Sequence, residues 1–208
     1  MKRISGLIIL VTVFAVALSG VSQAASPKFG VKGLVGISNL TGDIEGVKSM
    51  VGFGGGVLAQ VPVGQGQFMV QPEAMVVMKG AKEDVSSNAE KLKLTYIEIP
   101  VLLKYAPPME SSLKPSFFAG PALGILMSAK AAGVDIKDFV KSTDFGIVFG
   151  AGIDLMAGSN TVCIDARYNL GVSNVNDDVD ASSVKIKNAM GSVNVSFLFG
   201  GGGGNGGM

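Results

Sequence analysis

The stretch Tyr96-Ile97-Glu98-Ile99-Pro100-Val101-Leu102-Leu103-Lys104-Tyr105 constrains the fold more than any other. Its odd positions, Ile97, Ile99, Val101, Leu103 and Tyr105, form one apolar stripe, while the even positions include Tyr96, Glu98 and Lys104. A period of two with one wholly apolar face is the signature of a β-strand. Such a strand either buries its stripe in a soluble core or turns it towards lipid and keeps Glu98 and Lys104 inside. The rest of the chain decides between these.

The alternation recurs along the chain. Strands are expected at 28–38, 51–61, 67–79, 92–105, 116–127, 143–155, 161–171 and 188–199. The stripes are Phe29, Val31, Val35 and Ile37; Val51, Phe53, Val57, Ala59 and Val61; Phe68, Val70, Ala74, Val76 and Met78. Further on come Phe145, Ile147, Phe149, Ile153 and Leu155; Val162, Ile164, Tyr168 and Leu170; and Val193, Val195, Phe197 and Phe199. The glycine run Gly52-Phe53-Gly54-Gly55-Gly56 sets Gly52, Gly54 and Gly56 on the opposite face, where small residues let a narrow barrel curve. The connections at 40–49, 80–91, 128–141 and 172–187 read as long polar loops. Those at 62–66, 106–114 and 157–160 read as turns. Alternation of long and short connections is the pattern of an eight-stranded antiparallel up-and-down transmembrane β-barrel, with long loops outside and short turns in the periplasm.

Met1-Lys2-Arg3, the apolar run Leu7–Leu18 and the small residues of Ser22-Gln23-Ala24 read as a secretory signal peptide over residues 1–24, cleaved after Ala24. The barrel is then expected over 25–199, and the glycine-rich segment 200–208 as a disordered tail. Removing Lys2 and Arg3 leaves 17 − 2 = 15 basic residues against 16 acidic ones, with no basic face for nucleic acid. The mean hydropathy of +0.46 is high for an exported chain that has no later run long enough for a membrane helix. A lipid-facing barrel wall accounts for it.

Parity then places nine charged residues in the lumen: Lys32, Glu73, Lys79, Glu98, Lys104, Asp144, Asp154, Asp165 and Arg167. Five acids face four bases, the near-neutral balance a narrow lumen needs because buried charges must be paired. An eight-stranded barrel is filled by its own side chains, so a porin is disfavoured.

Catalytic candidates are few. The chain has no His, which excludes His-based acid–base chemistry and Ser-His-Asp arrangements. Glu73 and Glu98 could form a carboxylate pair, but membership of an ion-pair network with Lys104 or Arg167 is the stronger reading. Cys163 is the single cysteine and reads as a packing residue. The segment Asn174–Asp180 alternates oxygen donors but lacks the glycine and terminal glutamate of a calcium loop, and reads as a surface loop. Gly52–Gly56 has no following Lys-Ser/Thr for a phosphate loop. No catalytic residue, cofactor or metal is expected. Tyr105 and Tyr168 face outward near strand ends, where aromatic girdles sit, whereas Tyr96 suits lumen packing.

Several segments resemble the PorT-like outer-membrane β-barrel family of Gram-negative bacteria. They are Gly30-Val31-Lys32-Gly33 through Asn39-Leu40, Gln71-Pro72-Glu73, Lys79-Gly80-Ala81-Lys82 and Tyr96-Ile97-Glu98-Ile99-Pro100 with Lys104-Tyr105. Ala119-Gly120-Pro121, Asp144-Phe145-Gly146, Gly150-Ala151-Gly152 and Arg167-Tyr168-Asn169-Leu170-Gly171 continue the series. The resemblance implies an outer-membrane barrel delivered by the barrel assembly machinery, without one shared activity. Such barrels commonly end on an aromatic residue; here Phe199 is followed by nine more residues. The expected role is non-catalytic: a monomer in outer-membrane lipid whose loops contact a surface or envelope protein partner. A narrow channel for small solutes, or an accessory component of protein secretion, is the alternative.

Overall fold

The alternating segments form strands β1 (Lys28–Gly42), β2 (Val47–Val63), β3 (Phe68–Glu83), β4 (Lys91–Tyr105), β5 (Leu113–Ala131), β6 (Val134–Asp135), β7 (Thr143–Ala157), β8 (Asn160–Gly171) and β9 (Ile186–Phe199). The computed structural model describes residues 26–42, 47–64, 66–83, 91–175 and 185–200. The signal segment 1–24 and the tail beyond Gly200 therefore lie outside the described residues, as does most of the acidic segment Asn174–Asp180. Gly200 itself donates its backbone N–H to Asn160 Oδ1 at 3.0 Å.

A sheet has two open edges unless its first and last strands pair. Here β1 pairs antiparallel with β9 from Phe29↔Phe199 to Gly42↔Ile186. Every other neighbouring pair is also antiparallel, and β4–β5 pairing completes the ring. The eight long strands make a closed up-and-down barrel, with β6 folded back on β5 outside the ring.

Side-chain parity sorts the wall as a membrane barrel requires. Phe29, Ile37, Val51, Phe53, Phe117, Phe145 and Val195 point outward, each at least half exposed. All nine charged residues assigned to the lumen are buried. Val61 shares the outward parity of its cross-strand partner Val70 but is only 4% exposed. Outward aromatics meet across strands, Tyr105 against Phe68 at 5.0 Å and Tyr168 against Phe149 at 5.8 Å. At Gly56 the barrel is tightly curled, since a Cβ there would lie 2.1 Å from the Ala74 carbonyl oxygen. The turn between β7 and β8 places Gly158 in the left-handed region, φ +63°.

The strands outrun the expected boundaries at the loop end. β1 and β2 extend to Gly42 and from Val47, so the loop expected at 40–49 shrinks to the segment between them. β3 runs to Glu83 and β9 starts at Ile186. The connection expected at 128–141 is largely built: β5 continues to Ala131, a turn with Ala132 (φ 50°) and Gly133 (φ 86°) leads into β6, and a 3-10 turn follows at Lys137–Phe139. Positive φ at both turn residues is the type I′ geometry of two-residue hairpins.

Polarity inverts in this extension. Past Ile37, Met78, Ile97 and Met127, the outer positions become Asn39, Thr41, Lys82, Lys91, Lys93, Thr95 and Lys130. The inner positions become Leu40, Met50, Leu94, Tyr96, Leu126 and Ala129, all buried. A bulge between β4 and β5 at Thr95/Tyr96 shifts the register, so Ala129 joins Leu126 inside. The lower barrel is thus apolar outside and charged inside, and the upper part is the reverse.

Replacing Ile153 with Arg puts a charge on the outer wall and is expected to cost about 2–4 kcal/mol if the site lies near the bilayer midplane. The check is gel migration with and without boiling: Ile153→Leu should keep the fast-migrating unboiled form and Ile153→Arg should lose it. Normal insertion of the arginine variant would mean that this wall does not face lipid.

Candidate functional site

The lumen holds the chain's main polar constellation. At its centre Glu73 of β3 accepts from Lys32 Nζ of β1 at 2.8 Å and from Arg167 of β8 through Nη1 at 2.9 Å and Nη2 at 3.2 Å. Asp165 lies 3.4 Å from Lys32 Nζ and accepts from Arg167 Nε at 3.0 Å. Two bases and two acids thus share one cluster. Gln71 Nε2 donates to Glu73 Oε1 at 2.6 Å, Gln60 Nε2 to Gln71 Oε1 at 2.8 Å, and Asn194 Nδ2 to Asp165 Oδ1 at 2.8 Å. The Arg167 guanidinium also lies 5.1 Å from the centre of the Phe118 ring, a cation–π distance. The bidentate fork on Glu73 is the strong form of a buried ion pair.

Two further pairs flank the cluster. Lys104 meets both carboxylate oxygens of Asp154, at 2.8 and 2.7 Å, and lies 3.9 Å from Cys163 Sγ. Lys79 pairs with Glu98, which also accepts from Asn169 Nδ2 at 3.3 Å. Of the two cations expected beside the glutamates, Arg167 holds Glu73, whereas Lys104 goes to Asp154 and Glu98 to Lys79. Glu73 and Glu98 are each held by their own cations, so the two do not form an acid–base pair.

This leaves the fifth acid. Asp144 is buried but has no ion pair among the described residues. It accepts from Asn188 Nδ2 at 2.7 Å and from Ser173 Oγ at 2.8 Å, and Asn188 Nδ2 also reaches Tyr96 Oη at 3.3 Å. The count of five acids to four bases therefore resolves into four pairings and one carboxylate held by neutral donors.

Above Asp144 the loop end is covered. Leu94, Tyr96, Leu126 and Ala129 form an apolar cluster, and Ile136 and Val140 from the β5–β7 connection pack onto it. Lys141 N–H donates to the Val175 carbonyl at 2.9 Å and Val175 N–H to that of Ile186 at 2.8 Å, tying this cover to the β8–β9 connection. The amide residues Gln60, Gln71, Asn169, Asn188 and Asn194 complete the polar set. Alternation alone sets Gln60, Gln71, Asn169 and Asn194 inward, whereas the part Asn188 plays in holding Asp144 has no local sequence signal. Asn194 Oδ1 and Ser196 Oγ are buried without a hydrogen-bond partner among the described residues, a polar setting suited to ordered water.

Glu73→Gln leaves Lys32 and Arg167 short of one buried negative charge and is expected to destabilise the fold by about 3–5 kcal/mol. Asp144→Asn removes a charge with no cation opposite it and is expected to stay within about 1 kcal/mol of the parent. The measure is the urea concentration at which each loses its fast-migrating form. Equal losses would show that ion pairing does not govern lumen stability.

This chain is similar to solved barrels. A Neisserial surface protein A (NspA) superposes with a TM-score of 0.57 at 17% identity, over 85% of this chain and 99% of its own. The attachment invasion locus protein Ail of Yersinia pestis, solved with the heparin analogue sucrose octasulfate, gives 0.45 at 15% identity, over 84% and 99%. OprG, an outer membrane protein of Pseudomonas aeruginosa, gives 0.45 at 13% identity, over 85% and 94%. No curated protein matches the sequence at a significant level. At 17% identity the NspA superposition establishes the fold alone. The family model described as "Outer membrane protein beta-barrel domain" matches residues 22–177. By that match and by its closed eight-stranded wall, the chain belongs to the outer membrane protein beta-barrel domain family of the bacterial outer membrane.

Proposed function

We propose that this chain is a non-catalytic barrel that presents a rigid β-built platform at the cell surface. The carrying observation is the polarity inversion: strands that begin as a lipid-facing wall continue past it with a polar exterior and a closed apolar interior. A wall of 15 to 19 residues in β1 to β5 exceeds the 9–11 that cross a bilayer, and the excess lies at the loop end. In this reading the loop end is extracellular and the turn end periplasmic. The platform carries Val134 and Phe139, 66% and 61% exposed, beside Asp135, Lys137 and Asp138. An exposed aromatic among charges is a common anchor for protein partners, and a surface or envelope protein is the partner class proposed.

The channel alternative fits less well. A solute would have to part the Lys32–Glu73–Asp165–Arg167 cluster and then displace the apolar cover around Tyr96. Within its family we place the chain among PorT-like members, on the Tyr96–Tyr105 strand. A secretion role has no residue here that demands it. The protein works as a monomer, with lipid around the wall.

Two measurements test this reading. A cysteine in place of Phe139, in a Cys163→Ser background, should react in intact cells with a membrane-impermeant maleimide. The wild type, with Cys163 buried, should not. In planar bilayers the wild type should give no stepwise conductance. Steps of defined size, or an unlabelled residue 139 in intact cells, would sink the platform reading.

A further inference from the structure

The turn end of the barrel is not filled like the loop end. It opens into a cavity of about 570 Å³ beneath the Lys104–Asp154 pair. Two basic residues, Lys28 of β1 and Lys114 of β5, reach it from opposite parts of the ring. Neither forms an ion pair among the described residues: Lys28 Nζ donates only to Thr161 Oγ1, at 2.9 Å. Asp154 is the one acid among the described residues of the lining, and Lys104 already neutralises it from above. Lys114 stands opposite Asp154 in the β5–β7 register yet makes no bridge to it. The cavity is therefore cationic. Met69 and Met156 add apolar wall.

We propose that this vestibule binds a small amphiphilic anion, with a carboxylate or phosphate group between Lys28 and Lys114 and an apolar body against Met69 and Met156. Charge-assisted hydrogen bonds from two lysines suit a tetrahedral or planar oxyanion, and the thioethers adapt to an irregular apolar group. The other lumen cations among the described residues, Lys32, Lys79, Lys104 and Arg167, are already paired. In the proposed orientation the site faces the periplasm. Its anion comes either from solution or from the headgroup of an anionic lipid in the inner leaflet.

The test uses the full mature chain in neutral-detergent micelles, with methyl-labelled methionine followed by NMR and hexanoate as the probe. Resonances of Met69 and Met156, assigned with Met→Leu variants, should shift saturably with a Kd on the order of 1 mM. The uncharged isostere hexanol should bind at least tenfold more weakly. Lys28→Gln with Lys114→Gln should lose at least tenfold for hexanoate while keeping the fast-migrating folded form. Equal binding of hexanol and hexanoate, an unaffected double variant, or no shift at Met69 and Met156 would each overturn the proposal. Nanodiscs separate the two sources. If phosphatidylglycerol moves these resonances without hexanoate, and does so only with both lysines present, the headgroup is the ligand. If phosphatidylcholine and phosphatidylglycerol discs give the same spectrum and hexanoate still binds, the ligand is a free anion.

Discussion

Closure of the backbone ladder is the constraint on which everything else here rests. In hydrocarbon an unpaired N–H or C=O has no water to turn to, so a spanning sheet must pair its first strand with its last. The β1–β9 seam does this over its full length, from Phe29↔Phe199 to Gly42↔Ile186. Once the ring is closed, parity has only two faces to assign. The apolar stripe cannot enter so narrow a lumen alongside nine charges, and the charges cannot enter lipid. The arrangement of Glu73, Arg167 and their neighbours inside is thus a consequence of closure and of strand number.

Electrostatics then fixes which inward residues meet. A buried base without an acid would be costly, and each of the four lumen bases has one. Partners come from strands far apart in sequence: Lys32 and Glu73 from β1 and β3, Arg167 from β8. The cluster therefore ties opposite sides of the ring across the lumen, which the ladder alone cannot do. Asp144, the acid in excess, sits where the interior turns from charged to apolar and is held by amide and hydroxyl donors instead.

Much of this was legible in the sequence because a strand's period is local. Inward and outward assignments for Lys32, Glu73, Lys104 and Arg167 needed only parity. Pairing was less legible: Lys104 goes to Asp154 and not to a glutamate because stagger around the ring sets which inward residues share a height, and stagger is a long-range quantity. The strand ends were missed for a different reason. Segments 40–42, 47–50, 80–83 and 128–131 carry polar outer residues, so a rule that ends strands where the apolar stripe ends stops at the membrane boundary. The strands continue because the stripe has changed face, to Leu40, Met50, Ala81 and Ala129. The bulge beside Tyr96 adds a further shift that parity cannot carry across.

The prolines show how the wall tolerates what closure forbids. Pro72, Pro100 and Pro121 lie in the neighbouring strands β3, β4 and β5, and each lacks the N–H that a central strand should donate. The pairing lapses beside them: between Leu58↔Glu73 and Val61↔Val70, between Pro72↔Val101 and Met75↔Glu98, and between Pro100↔Ala122 and Leu103↔Ala119. Behind each lapse stands a compensating contact. Gln60 and Gln71, which would face each other across the first, are joined through their side chains at 2.8 Å. Glu73, beside the second, is held by Lys32 and Arg167. Leu102, beside the third, packs with Phe118, Ala122 and Val148. Lumen packing and lumen charge thus reinforce the wall where its own ladder is weakest, which gives the central cluster a mechanical role as well as an electrostatic one.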